Sequence, residues 1–111
     1  MGFETFCIQK IQLFMGDSMK VEVQVMSSLK YIAKKSKMSF NMDNEATVLS
    51  LLNSILAVDK KLFNSILDHE GELNSGIIIL VNKKDIEVLQ GLNTKLQDGD
   101  TVFLLSAVHG G

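Results

Sequence analysis

Val21, Val23 and Val25 alternate with Glu22, Gln24 and Met26. Alternation with a period of two, carried by β-branched residues, predicts a half-buried strand starting near Met19. Ser27 to Lys37 is polar and Lys-rich and reads as a loop with room for one helical turn. Met38, Phe40 and Met42 then alternate with Ser39, Asn41 and Asp43. This predicts a second strand, antiparallel to the first because sequential strands usually pair. Beyond it the spacing changes. Val48, Leu51, Leu52, Ile55 and Leu56 fall on the stripe of a core-facing helix, and Thr47 stands where an N-cap belongs. Asp59 is placed to cap a second, shorter helix carrying Leu62, Phe63, Ile66 and Leu67, and Asp68 to Gly76 reads as a polar turn region. Ile77 to Val81 is a continuous apolar run bounded by Gly76 and Asn82, the pattern of a strand buried on both faces. Asn82 to Asp85 is a turn, and Ile86, Val88 and Leu89 suit a short edge strand. Asp98-Gly99 is a strong turn signal, and Thr101 to Val108 is the last strand.

Strands on both sides of one main helix predict an α+β domain, a mixed sheet of four to five strands packed on that helix. The order is compatible with a β-grasp (ubiquitin-like) fold, although periodicity alone does not establish one. A length of 111 residues is that of one domain. The pattern assigns 19–111 to the domain and 1–18 to an N-terminal extension. Glu4, Gln9, Lys10 and Gln12 interrupt the apolar run of that extension, which argues against a signal peptide. Phe3, Cys7, Ile11 and Phe14 recur at helical spacing. Two readings stay open, a short amphipathic helix or an ill-ordered appendage ahead of Met19.

Composition narrows the class. The net charge is -2, the 11 basic side chains are all lysine, and they are scattered. Nothing in that distribution points to direct nucleic-acid binding, and the bidentate fork of arginine is absent. No apolar run approaches the roughly 20 residues that span a bilayer, so no membrane partner is expected. One cysteine, Cys7, excludes an internal disulfide framework and suits a reducing, cytoplasmic setting.

The sequence closes on Gly110-Gly111. With glycine near 7% of residues, an arbitrary chain ends this way roughly 0.5% of the time. Here the pair follows an apolar strand with only His109 between, so it would project from a rigid edge. A terminal α-carboxylate is an anion at neutral pH and a poor electrophile. To react it must be activated, for instance as an acyl-adenylate in another protein's ATP site. Residues without Cβ can thread a narrow channel and take backbone angles that others resist. A nucleophile then displaces AMP: sulfide or a persulfide leads to a thiocarboxylate, a lysine amine to an isopeptide. On this reading the catalytic groups belong to partners, and the chain is the carried substrate.

Three stretches together carry a resemblance: Gly76-Ile77-Ile78-Ile79-Leu80-Val81-Asn82, then Leu96-Gln97-Asp98-Gly99-Asp100-Thr101-Val102, then Val108-His109-Gly110-Gly111. With these, Met19 to Gly111 resembles the ubiquitin-like sulfur-carrier family of MoaD and ThiS. Within it the chain is most similar to the small archaeal modifier proteins and the eukaryotic ubiquitin-related modifier. Ser106 and Ala107 stand where the MoaD branch usually carries prolines, which weakens a dedicated role in molybdopterin synthesis. The resemblance implies a β-grasp fold, no catalytic residues and no metal of its own. It implies no bound cofactor, with ATP and Mg²⁺ sitting on an E1-like adenylyltransferase that activates Gly111 behind Gly110. A sulfur donor follows as a second partner. The acceptor would be a tRNA thiolation enzyme, the molybdopterin synthase large subunit, or target-protein lysines if the chain is a modifier.

Other residues invite sharper readings. Phe103 and Leu105 share the strand face opposite Val102 and Leu104, and with Val108 and His109 they are expected to meet the adenylating partner. The competing expectation is that the N-terminal extension covers them. Asp68-His69-Glu70 offers metal-ligand types, but neighbouring residues cannot all point one way, so a solvated loop is expected. Nothing near Cys7 suggests a lowered pKa. Lys30 to Lys37, Lys60, Lys61, Lys83 and Lys84 could accept modification, and the sequence does not rank them.

Overall fold

The structure is a computed structural model, and it describes residues 18–107. Five strands, β1 (Ser18–Val25), β2 (Lys37–Asp43), β3 (Ile77–Val81), β4 (Lys84–Asp85) and β5 (Thr101–Ser106), form one mixed sheet in the order β2-β1-β5-β3-β4. β1 pairs antiparallel with β2, as the alternating patterns predict, and parallel with β5. β5 pairs antiparallel with β3 on its other side, so the last strand lies in the middle of the sheet. Helices α1 (Val48–Val58) and α2 (Lys60–Ile66) cross one face.

The helices start where the sequence says they should. The Thr47 hydroxyl accepts the Ser50 backbone N–H, and the Ser50 hydroxyl accepts the Thr47 N–H in return. Asp59 then caps α2, taking the Leu62 N–H at 3.1 Å. Its other carboxylate oxygen takes the Lys34 N–H at 2.7 Å and ties the loop before β2 to the helix pair. Val48, Leu51, Leu52 and Ile55 of α1 and Leu62 and Ile66 of α2 are fully buried. They pack on Val21 and Val23 of β1, Ile79 of β3, and Val102 and Leu104 of β5.

Two expectations are corrected. Ile77–Val81 is not buried on both faces: Ile79 and Val81 are buried, whereas Ile78 and Leu80 are half-buried. The helices form a layer on one side of the sheet only. The edge strand expected at Ile86, Val88 and Leu89 is displaced: pairing stops at Lys84–Asp85, and Ile86–Val88 is a 3-10 turn. The Asp85 carboxylate accepts the Glu87 N–H at 2.9 Å and starts the turn. Ile86 drops into the core while Val88 is 74% exposed, which a strand could not do with residues two apart. The turn foreseen after β1 is also 3-10, at Ser27–Tyr31. The last strand ends at Ser106; Val108 and the extension helix suggested by Phe3, Cys7, Ile11 and Phe14 lie outside the described residues.

Candidate functional site: the root of the C-terminal tail

Gly110, Gly111, Val108 and His109 lie outside the described residues, and so does Cys7. What the structure defines is the root from which the tail departs. The central strand β5 reaches its end held on both sides. Toward β1, the Met26 N–H donates to Leu104 O at 2.8 Å. Next to it the Ser27 hydroxyl accepts the Ser106 N–H at 2.9 Å and donates to Ser106 O at 3.2 Å. Ser27 does this from a left-handed backbone, φ 52°, that a non-glycine residue rarely adopts. Toward β3, the Ala107 N–H donates to Gly76 O at 2.7 Å. Backbone bonds therefore anchor the chain up to the last described residue.

Sequence reasoning took Ser27 as the start of a loop, and Gly76 as a strand boundary and the first residue of a motif stretch, and gave neither a part in holding the tail. A serine after a strand reads as loop, and nothing in the sequence reports its left-handed φ. Gly76 carried a weak signal, since it sits at φ 83° and glycine is the usual residue there.

The start of β5 is fixed as firmly, by the residues that carry the family resemblance. The Asp100 carboxylate accepts the Gln97 N–H at 2.8 Å and the Asn82 side-chain amide at 3.0 Å. The Asn82 amide oxygen accepts the Thr101 N–H at 3.0 Å, and the Asp98 carboxylate accepts the Lys20 N–H at 2.8 Å. Gly99, at φ 87°, closes the turn. The motif stretches thus build the frame that sets β5 in register.

Phe103 and Leu105 lie on the sheet face away from the helices, half-buried, while Val102 and Leu104 are wholly in the core. Register places Leu80 beside Phe103 and Ile78 beside Leu105, which makes a four-residue apolar patch around the central strand. Toward β2 the same face turns polar, with Gln24 opposite Lys37 and Glu22 opposite Ser39.

The remaining candidates resolve simply. The Asp68 carboxylate accepts the N–H groups of Glu72 at 2.9 Å and Glu70 at 2.8 Å. Those bonds, with a smaller pull from His69, hold its carboxyl below the usual range. Both bonds fall on one oxygen of Asp68, within its own turn, and His69 and Glu70 are exposed. Among the described residues no group of three or more His, Cys, Asp or Glu is placed to hold a metal. No described helix is long and apolar enough to cross a membrane. Lys95 pairs with Glu45 at 2.7 Å, which raises its ammonium pKa. Lys30, Lys34, Lys35, Lys37, Lys60, Lys61, Lys83 and Lys84 are all exposed.

A mixed five-stranded sheet grasping a helix, with the last strand central, defines a ubiquitin-like β-grasp domain. Residues 20–111 match the family model Urm1 (Ubiquitin related modifier). The chain belongs to that family, one of the ubiquitin-like sulfur carriers and modifiers. It is 31% identical over 97 residues to "Ubiquitin-related modifier 1" of Schizosaccharomyces pombe, covering 84% of this chain and 100% of that one. Among solved structures it is similar to small archaeal modifier protein 1 of Methanosarcina acetivorans, with TM-score 0.70 and 29% identity over 85% of this chain and 98% of that one. It is also similar to a chain of the Amycolatopsis orientalis BexX/CysO complex, with TM-score 0.66 and 27% identity over 82% and 99% of the two chains.

Proposed function

We propose that the chain carries sulfur on its own C-terminus. An E1-like adenylyltransferase, holding ATP and Mg²⁺, joins the Gly111 carboxylate to AMP and releases pyrophosphate. Sulfide from a sulfur donor attacks the acyl carbon and expels AMP, leaving Gly111 as a thiocarboxylate. The chain supplies no catalytic group to either step. Its part is to present the carboxylate, and the observation that carries the reading is the clamped root of β5 at Ser106 and Ala107. A tail that leaves a fixed point has less freedom to lose when it enters an active-site channel. The apolar patch of Phe103, Leu105, Ile78 and Leu80 is the docking face for the activating enzyme, with Val108 and His109 continuing it. A tRNA thiolation enzyme is the preferred sulfur acceptor, with the molybdopterin synthase large subunit second.

The family's modifier members support a second reading, in which a target lysine amine attacks the acyl-adenylate and Gly111 ends in an isopeptide. One experiment separates the two. The intact chain is incubated with an E1-like enzyme, ATP and sulfide, and its mass is measured. A gain equal to one oxygen replaced by sulfur, lost when Gly111 is deleted, supports the carrier. ATP consumption with Gly111 linked to lysines supports the modifier, and no reaction of either kind sinks both.

A further inference from the structure

Among the described strands β2 is an edge of the sheet, with β1 as its partner. Beyond the paired strands, the Val25 N–H donates to Ser36 O at 2.7 Å. Hydrogen-bonded pairs in an antiparallel ladder recur every second residue. With Val23 opposite Met38 and Val21 opposite Phe40, Met38 and Phe40 spend their backbone groups on β1. Lys37, Ser39 and Asn41 therefore turn theirs to the open edge. Along that edge runs a groove of about 430 Å³. Met38 and Phe40 line its apolar floor half-buried, and Val58, at the end of α1, lines it 51% exposed. Ser39, which points to the opposite face of the strand, lines it too, so the groove reaches the free backbone edge. The rim carries Lys34, Lys35 and Lys37, all exposed. Among the described residues that line it the one carboxylate, Asp59, is 2% exposed and bonded to Lys34 N and Leu62 N. Three ammonium groups against one inward-held carboxylate leave the rim positive.

We propose that this edge receives an extended acidic segment of a partner protein as an added β-strand. It runs antiparallel to β2, the pairing that is more stable per residue. Alternate apolar side chains enter the groove of Met38, Phe40 and Val58. Antiparallel alignment brings the segment's C-terminal end to Lys37, so its acidic residues follow its apolar ones. Lysines on an edge also guard against non-specific strand pairing; a guard needs no apolar groove beside it. A second copy of this chain is a poorer occupant, because its β2 offers Asp43 alone to three lysines. The site is on the edge two strands from the tail's root, so the proposal stands whether or not Gly111 carries sulfur.

The test is a titration of the ¹⁵N-labelled full chain with the synthetic peptide acetyl-Val-Leu-Val-Leu-Asp-Glu-Glu-amide, read by amide shifts. Shifts are expected at Lys37, Ser39, Asn41 and Val58, weakening as salt screens the rim. The triple variant Lys34→Glu, Lys35→Glu, Lys37→Glu changes only exposed side chains and should weaken binding roughly tenfold. Its own amide spectrum shows whether it remains folded. A peptide of the same composition with the acidic residues placed first should bind less tightly. The proposal is overturned by shifts that bypass β2, by equal binding to the folded triple variant, or by a β2-paired dimer in the peptide-free chain.

Discussion

Asn82 allows two contributions to the frame of β5 to be weighed separately. It sits at φ 60°, and its side chain bridges Asp100 and the Thr101 N–H. Asn82 is exposed, so water can replace part of each bond, and about 0.5 kcal/mol per bond is the appropriate low end. Removing the side chain therefore costs about 1 kcal/mol, whatever replaces it. The backbone adds a second cost that depends on the replacement. Alanine in the left-handed region meets its own carbonyl, whereas glycine does not; after glycine's extra unfolded-state entropy, alanine is about 1 kcal/mol the worse. The expectation is a loss of about 2 kcal/mol for Asn82→Ala and about 1 kcal/mol for Asn82→Gly. In a domain of this size each kcal/mol lowers Tm by about 4–8 °C. Urea unfolding of both variants, compared by midpoint at an unchanged slope, reads the difference. If Asn82→Ala is no less stable than Asn82→Gly, or if both match the parent, the bridge does not frame the strand and the reasoning fails.

Three other outcomes are expected. Ser27→Gly keeps the left-handed backbone and loses the hydroxyl; Ser106 amide exchange should quicken, and KM for tail activation should rise roughly fivefold with kcat little changed, as for a lost ordering term of about 1 kcal/mol. An unchanged KM would remove Ser27 from the positioning of the tail. Leu52→Ala empties part of the fully buried centre of α1 and should cost about 2–5 kcal/mol in urea unfolding. Asp68 has a carboxyl pKa held below 3.8, so whatever its turn gains from the charge is present above that value and is lost as pH falls through the lowered one. Side-chain NMR in acid should show Asp68 titrating below 3.8, and Asp68→Asn should move the Glu70 and Glu72 amide signals.

The parts of the fold that were legible are those where one residue type has one local use. Thr47 and Asp59 announced the two helix starts because short oxygen-bearing side chains satisfy otherwise unpaired N–H groups. Val21, Val23 and Val25 announced β1 because a strand with one covered face needs that alternation. The run at Ile77–Val81 misled because a continuous apolar strand looks the same whether its second face is covered by another layer or forms a half-buried patch. Ile86 misled because one capping carboxylate, Asp85, outweighed the strand preference of the residues after it. At the site, the outward placement of Phe103 and Leu105 followed from alternation. The Ser27 clamp did not, since its partner Ser106 is 79 positions away and only the folded sheet brings the two together.

The central position of β5 also decides how the molecule answers a pull on its C-terminus. Force applied there enters the strand along its own axis, between β1 running parallel on one side and β3 antiparallel on the other. The bonds to both neighbours lie across the direction of the load and bear it together. A strand at the sheet's margin, drawn off sideways, would surrender its bonds one after another. Were the chain hauled by whatever is fastened at Gly111, it would yield by sliding, and its lifetime under tension would follow the barrier to that step more than its equilibrium stability.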